Sequence, residues 1–245
     1  MSLAVERFDA RVWPDGQLET LFVGAFPAFI TADQVAKLYI DRVRNWFPEF
    51  NIMLVGEESI PVATGWGVPL TWNGEVGDLP IGYTDATKRA VEVHEAGDEP
   101  NTFVICGGIV NPSLAGKGYA SKLISALCDL AKESGLERVI APVRPTMKSS
   151  HPMVPIDTYV HLLRPDGAPA DPWLRTHWRM GGRILTTAPA SQTMTGTVAE
   201  WQDWTGCEFP ATGDYVIPDG LSTLHIDLAR DAGVYVEPNV WIQHS

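Results

Sequence analysis

Cysteine is scarce, long apolar runs are missing and basic residues are outnumbered, and each shortage closes off a class of protein. Cys106, Cys128 and Cys207 are the three cysteines of 245 residues. They are too few for a disulfide framework and lack the spacing of a zinc site. No window approaches the ~20 uncharged apolar residues of a membrane helix, and Met1–Arg7 has no basic stretch leading into an apolar one. The expected compartment is a reducing cytoplasm. Eighteen basic against thirty acidic residues give a formal charge of -12, which opposes sequence-independent attraction to nucleic acid or to an anionic membrane surface. Neither is expected as a partner, although a helix N-terminus can still hold one small anion at short range. Repeats and low-complexity tracts are absent and proline and glycine mark no linker, so residues 1–245 read as one domain. The 45% of hydrophobic residues suffices for a well-buried core.

Apolar residues recur at three and four over 18–29 and again over 31–47, predicting two successive helices, the second capped by Thr31 or Asp33 and stopped by Pro48. The runs 51–55 and 61–68 are short, apolar and bounded by turn formers, as expected of paired strands. Loop residues crowd 72–82, a helix follows over 84–96 with Thr84 as its cap, and 102–110 reads as a strand. Leu123, Ile124, Leu127, Leu130 and Ala131 share one face of a helix over 121–134 that stops at Gly135. A further strand, 138–143, completes a βαβ-like unit.

Between that unit's first strand and helix runs Asn111-Pro112-Ser113-Leu114-Ala115-Gly116-Lys117-Gly118-Tyr119-Ala120. Amides at a helix start lack intrahelical partners and lie at the positive end of the macrodipole, which suits a phosphate. Gly116 and Gly118 keep Cβ atoms out of the way, small Ala120 extends the clearance, and Pro112 fixes the chain where the strand ends. Lys117 either adds a charge outside the cradle or is a solvated surface residue. A Walker loop does not fit, because Tyr119 stands where its lysine would be; the dinucleotide pattern fails at Ser121. The turn is thus a pyrophosphate cradle or a plain connection.

The run Val110 to Ile124, followed by Ala131 to Arg138 before a strand, resembles the acyl-CoA-binding motif of the GNAT superfamily, Gln/Arg-x-x-Gly-x-Gly/Ala. Gly118 and Ala120 match, while Ala115 stands where Gln or Arg is usual, a departure that removes one side chain and leaves the backbone donors. The segment 171–185 is similar to the family's later helix and its Gly-Phe step, with Gly182 in place of Phe. The resemblance implies an α/β (α+β) fold, a mixed and mostly antiparallel central sheet flanked by helices, with 102–185 as the CoA-binding core and 186–245 as a C-terminal elaboration.

It also implies an acyl-CoA-dependent N-acyltransferase, most simply one that moves acetyl from acetyl-CoA to a small-molecule or peptide amine, with acetyl-CoA or another acyl-CoA as co-substrate and no metal. Ile109, Val110 and Asn111 would serve pantetheine and the thioester carbonyl, and the turn residues 115–120 the pyrophosphate. A catalytically silent CoA-binding module and a different thioester chemistry such as decarboxylation are the alternatives. The family's proton-donating tyrosine is replaced by His177, and histidine can donate near neutral pH. No carboxylate lies on the strand 103–110, so a base comes from elsewhere or from water. Gly107-Gly108 inside that strand marks a bulge, a close ligand approach or a packing accommodation. The insertion 144–161 gathers His151, Asp157, Tyr159 and His161, and reads either as part of the catalytic centre, through His151 and Tyr159, or as a proline-rich cover over a sheet edge. Trp201, Trp204, Phe209 and Tyr215 are expected in core or interface, with a homodimer as the assembly, and 221–228 with 234–242 as a C-terminal β hairpin.

Overall fold

The structure, a computed structural model, describes residues 3–14 and 16–244; residues 1, 2, 15 and 245 lie outside it, and with them the first two positions of the N-terminal stretch considered above for targeting. Strand and helix alternate in the first half of the chain and strands dominate the second. Strands β1 (Ala4–Arg7), β2 (Asn51–Val55), β3 (Pro61–Leu70) and β4 (Thr102–Val110) form an antiparallel series. Strand β5 (Arg138–Val143) then lies parallel to β4, and every later pairing is antiparallel. The late strands β6 (Arg183–Gly196), β7 (Gly213–Val216), β8 (Thr223–Asp227) and β9 (Ala232–His244) complete the sheet in the order β1-β2-β3-β4-β5-β9-β8-β7, with β6 also on β9. This is the mixed, mostly antiparallel sheet expected of the GNAT likeness. The C-terminal hairpin is present as β8 and β9, although β9 runs inside the sheet.

The βαβ unit forms because its apolar periods are unambiguous. Helix α4 (Tyr119–Glu133) buries Leu123, Ile124, Leu127 and Ala131 in the main core, and starts two residues before the expected point. Gly135 follows in the left-handed region, the usual way to end a helix. The expected helix over 18–29 does not form. Helix α1 spans only Glu19–Phe22, after which the chain turns through Gly24 at φ +70° and Pro27 into a 3-10 turn over Ala28–Ala32. Local turn chemistry overrides the apolar period there.

Helix α2 (Gln34–Trp46) is capped by Asp33, not Thr31: one carboxylate oxygen accepts from the amides of Val35 at 3.0 Å and Ala36 at 2.9 Å. The other accepts from the Thr84 hydroxyl and the Thr193 amide. Thr84 therefore does not cap helix α3 (Tyr83–Ala96), whose N-cap position is Gly82. One buried carboxylate thus ties α2, α3 and β6 together. Asp33→Asn keeps a capping oxygen but loses the acceptor for the Thr84 hydroxyl and the Thr193 amide. Urea denaturation should show a loss of about 1 kcal/mol; unchanged stability would mean that the bonds from Thr84 and Thr193 contribute nothing.

The C-terminal aromatics are core. Trp201, on α7 (Val198–Thr205), Phe29 and Tyr235 bury together, with Phe29 5.6 Å from the Trp201 ring and 5.1 Å from that of Tyr235. The insertion after β5 carries a short helix α5 (Ile156–Tyr159) that packs on β6 and β9, and leads into α6 (Pro172–Arg179), capped by Asp171.

Candidate active site

At the end of β4 the amide of Asn111 still pairs with the Val62 carbonyl, and its side-chain oxygen then accepts from the Ser113 amide at 3.0 Å and hydroxyl at 2.7 Å. These bonds hold a tight 3-10 turn over Pro112–Leu114. Gly116 and Gly118 follow at φ +76° and +79°, and a Cβ at either would meet nothing within 4 Å. They are required for their left-handed backbone, not for clearance from the protein. Gly118 occupies the N-cap of α4. The amides of Gly116, Gly118, Ala120 and Ser121 have no hydrogen-bond partner among the described residues, so the turn presents donors to solvent at the positive end of a fifteen-residue helix. Ala115 and Lys117 are exposed, whereas the Tyr119 ring is buried in the main core.

Strands β4 and β5 pair only from Thr102–Arg138 to Val104–Ile140 and then part. Pro142 stands just past the split, where a residue without an N–H can sit because no second neighbour asks for one. On its other side β4 bulges against β3, with Trp66 opposite Gly107 and Gly67 opposite Ile105, leaving Cys106 as the extra residue. A Cβ on Gly107 would overlap the Trp66 indole. The Gly-Gly pair thus coincides with both a bulge and a packing accommodation.

The split opens on a cavity of about 820 Å³. Cys106 and Ile109 of β4 and Pro142 and Arg144 at the end of β5 form one wall. Lys37, Ile40 and Arg44 of α2, with Phe22 and Phe26 before it, form another; Tyr83, Gln192 and Asn239 close the rest. Burial pushes the Cys106 thiol up to about 12, so it stays protonated. Tyr83 is raised well above the ordinary phenol range, first by burial and then by Cys106. Its amide is fixed on the Ser191 hydroxyl at 2.9 Å.

The three side chains put forward as catalytic stand elsewhere, and none lines this cavity. His177 is buried on α6, with Nδ1 2.8 Å from Nε2 of His244 at the end of β9. Burial, and then His244, lower its pKa to about 3, so it is neutral near pH 7. His151 is exposed. Tyr159 is buried and donates its hydroxyl to Asp171 at 2.9 Å, anchoring the insertion. Lys148 is buried too, its ammonium donating to the carbonyls of His151 at 2.8 Å and Leu221 at 2.6 Å. No cluster of metal-binding residues occurs among the described residues.

Sequence reasoning missed Tyr83, Arg144, Gln192 and Asn239. The signal that could have found Arg144 is its partner: Glu237 is the one carboxylate inside the largely apolar strand 234–242, and such a residue needs a cation.

Residues 39–154 match the family described as acetyltransferase (GNAT) family. The arginine N-acetyltransferase avaD of Aspergillus versicolor is 33% identical over 248 aligned positions, covering 89% of this chain and 84% of that protein. Among solved structures, the loading GNATL domain of CurA from Lyngbya majuscula superposes with a TM-score of 0.61 at 14% identity, over 100% of this chain and 98% of that one. A GNAT-like decarboxylase, GphF, in complex with isobutyryl-CoA gives 0.55 at 16%, over 100% and 99%. These two likenesses concern the fold.

Proposed function

The chain belongs to the GNAT acetyltransferase family and is an acyltransferase; on that premise we propose that it moves an acetyl group from acetyl-CoA to the α-amine of arginine or a close analogue. The observation that carries the reading is the split between β4 and β5 after Val104, which opens into the cavity along Cys106 and Ile109 of the same strand that runs on into the turn with unpaired amides. The amides of Gly116, Gly118, Ala120 and Ser121 receive the pyrophosphate, and the edge of β4 beyond Val104 receives the pantetheine. Bound acetyl-CoA supplies a thioester carbonyl as electrophile.

The acceptor occupies the remaining cavity, where Phe22, Phe26 and Trp66 offer aromatic faces on which a guanidinium can lie. The relative's activity on arginine supports this choice. An α-amine, with a pKa near ~8, is partly neutral near pH 7, whereas the guanidinium, above ~12, is not. The α-amine is therefore the better nucleophile. Tyr83, which keeps its proton through burial, hydrogen-bonds the departing thiolate in place of His177, which is structural in this reading, and the proton released by the attacking amine ends on the CoA sulfur.

The test follows CoA release and product mass with acetyl-CoA and arginine, Nα-blocked arginine and unrelated amines. Arginine should gain one acetyl group on its α-nitrogen, and Tyr83→Phe should lower kcat about 100-fold with little change in the acetyl-CoA KM. Acetylation of the blocked compound would move the reaction to the guanidine; CoA release no faster than hydrolysis with every amine would overturn the acceptor assignment.

A further inference from the structure

Arg144 is held by a partner that has no other evident use. Glu237 is wholly buried, and its two oxygens accept from the Arg144 Nε and the Tyr235 hydroxyl. The guanidinium also donates through Nη2 to the Asp219 carbonyl at 2.6 Å. Two of its three nitrogens are thereby fixed. Nη1 has no hydrogen-bond partner among the described residues, and the side chain lines the cavity. Glu237 lies within electrostatic reach of two cations, Arg144 and Lys148, while burial raises its own pKa and lowers that of Lys148.

Asn239 stands beside this group. It is only 3% exposed, lines the cavity, and its side-chain amide has no hydrogen-bond partner among the described residues. The amide opens on the cavity and is not sealed in the core, so its donors and acceptor are available to a bound group. Gln192 lines the cavity next to it with its amide equally uncommitted. The two are brought together by a break in the β6–β9 ladder: Ala188 pairs with Asn239 and Gln192 with Glu237, so residues 189–191 face Pro238 alone. Pro189 and Pro238, which cannot donate to a ladder, lie on the two sides of that break.

We propose that Arg144, Asn239 and Gln192 form a subsite for a carboxylate, that of the amino-acid acceptor. The inference deepens the function proposed above and rests on it for the acceptor's identity. A carboxylate offers acceptor lone pairs only, and the three side chains supply the edge of an anchored guanidinium and two amide NH2 groups. A site built for hydrogen bonding rejects an analogue that lacks the partner group far more strongly than an apolar pocket rejects a missing methylene. The subsite therefore selects amino acids over the corresponding amines.

Arginine and agmatine, which differ by that carboxylate, are the discriminating pair. The wild-type protein should favour arginine in kcat/KM by about 100-fold. Because Arg144→Met alone would leave Glu237 buried without its cation, the R144M/E237Q double variant removes both charges together. That variant, and independently Asn239→Asp, should each cut the arginine-to-agmatine ratio at least about tenfold. Equal kcat/KM for the two compounds in the wild type, or a ratio unmoved in both variants, overturns the subsite while leaving acetyl transfer to arginine in place. Should neither compound be acetylated, the acceptor reading fails and binding decides: stabilisation of the CoA-loaded protein by arginine but not agmatine, lost in Asn239→Asp, upholds the subsite. A stabilisation by malonyl-CoA over acetyl-CoA that Asn239→Asp removes assigns the carboxylate to the acyl donor and overturns it, as does the absence of either effect.

Discussion

Gly118→Asp is expected to weaken acetyl-CoA binding about 100-fold, and Gly118→Asn less than about tenfold. Both replacements put a side chain on a residue at φ +79°, and Asn and Asp tolerate that region better than other residues. Neither Cβ meets protein within 4 Å. The two variants are therefore matched in shape and backbone cost and differ by one negative charge at the start of α4. A charge-assisted hydrogen bond lost and a like charge gained amount to about 3 kcal/mol. Isothermal titration with CoA separates the cases. Equal loss in both variants would mean that backbone geometry alone sets affinity, and full affinity in Gly118→Asp would remove the pyrophosphate from this turn.

Acid should destabilise the wild-type protein relative to His177→Asn by about 2 kcal/mol between pH 7 and pH 5. His177 is lowered from its ordinary 6.5 to about 3 by burial and then by His244. In the native state it stays neutral down to about that pH, whereas the unfolded chain takes up a proton below about 6.5. Stability is thus unaffected above 6.5 and is lost as pH falls from 6.5 towards 3. His244 is lowered in the same direction by burial and keeps its own acid sensitivity in the variant. Denaturant titrations at the two pH values give the comparison. Parallel losses in both proteins would show that the buried imidazole does not hold off its proton.

Local signals and distant pairings were unequally readable. Strand β4, helix α4 and strand β5 follow from apolar period and glycine stops, because each is decided by neighbours within one or two turns. Gly107-Gly108 marked, in sequence, the place where β4 bulges against β3, whereas residues 138–143 read only as a strand and gave no sign that β4 and β5 part after Val104. Residues 18–29 failed because Gly24 and Pro27 break a run whose hydrophobic spacing is helical. Of the candidate site, the glycine turn stood out in sequence, whereas the cavity residues Tyr83, Arg144, Gln192 and Asn239 did not. Arg144 and Glu237 are 93 residues apart, and His177 and His244 are 67 apart. Such partners are set by sheet order, which no window along the chain contains. His177 matched a family position by count, yet its environment is fixed by the last strand.

That last strand has a consequence for how the molecule is made. β9 lies between β5 and β8 and pairs with β6 as well. During synthesis from the N-terminus, the edge of β5 and the whole of β6 wait without a ladder partner until residues 232–244 leave the ribosome. The cavity wall that includes Asn239 is completed in the same step, so the cavity forms only after residues 232–244 have been made, and the exposed edges depend on protection until then.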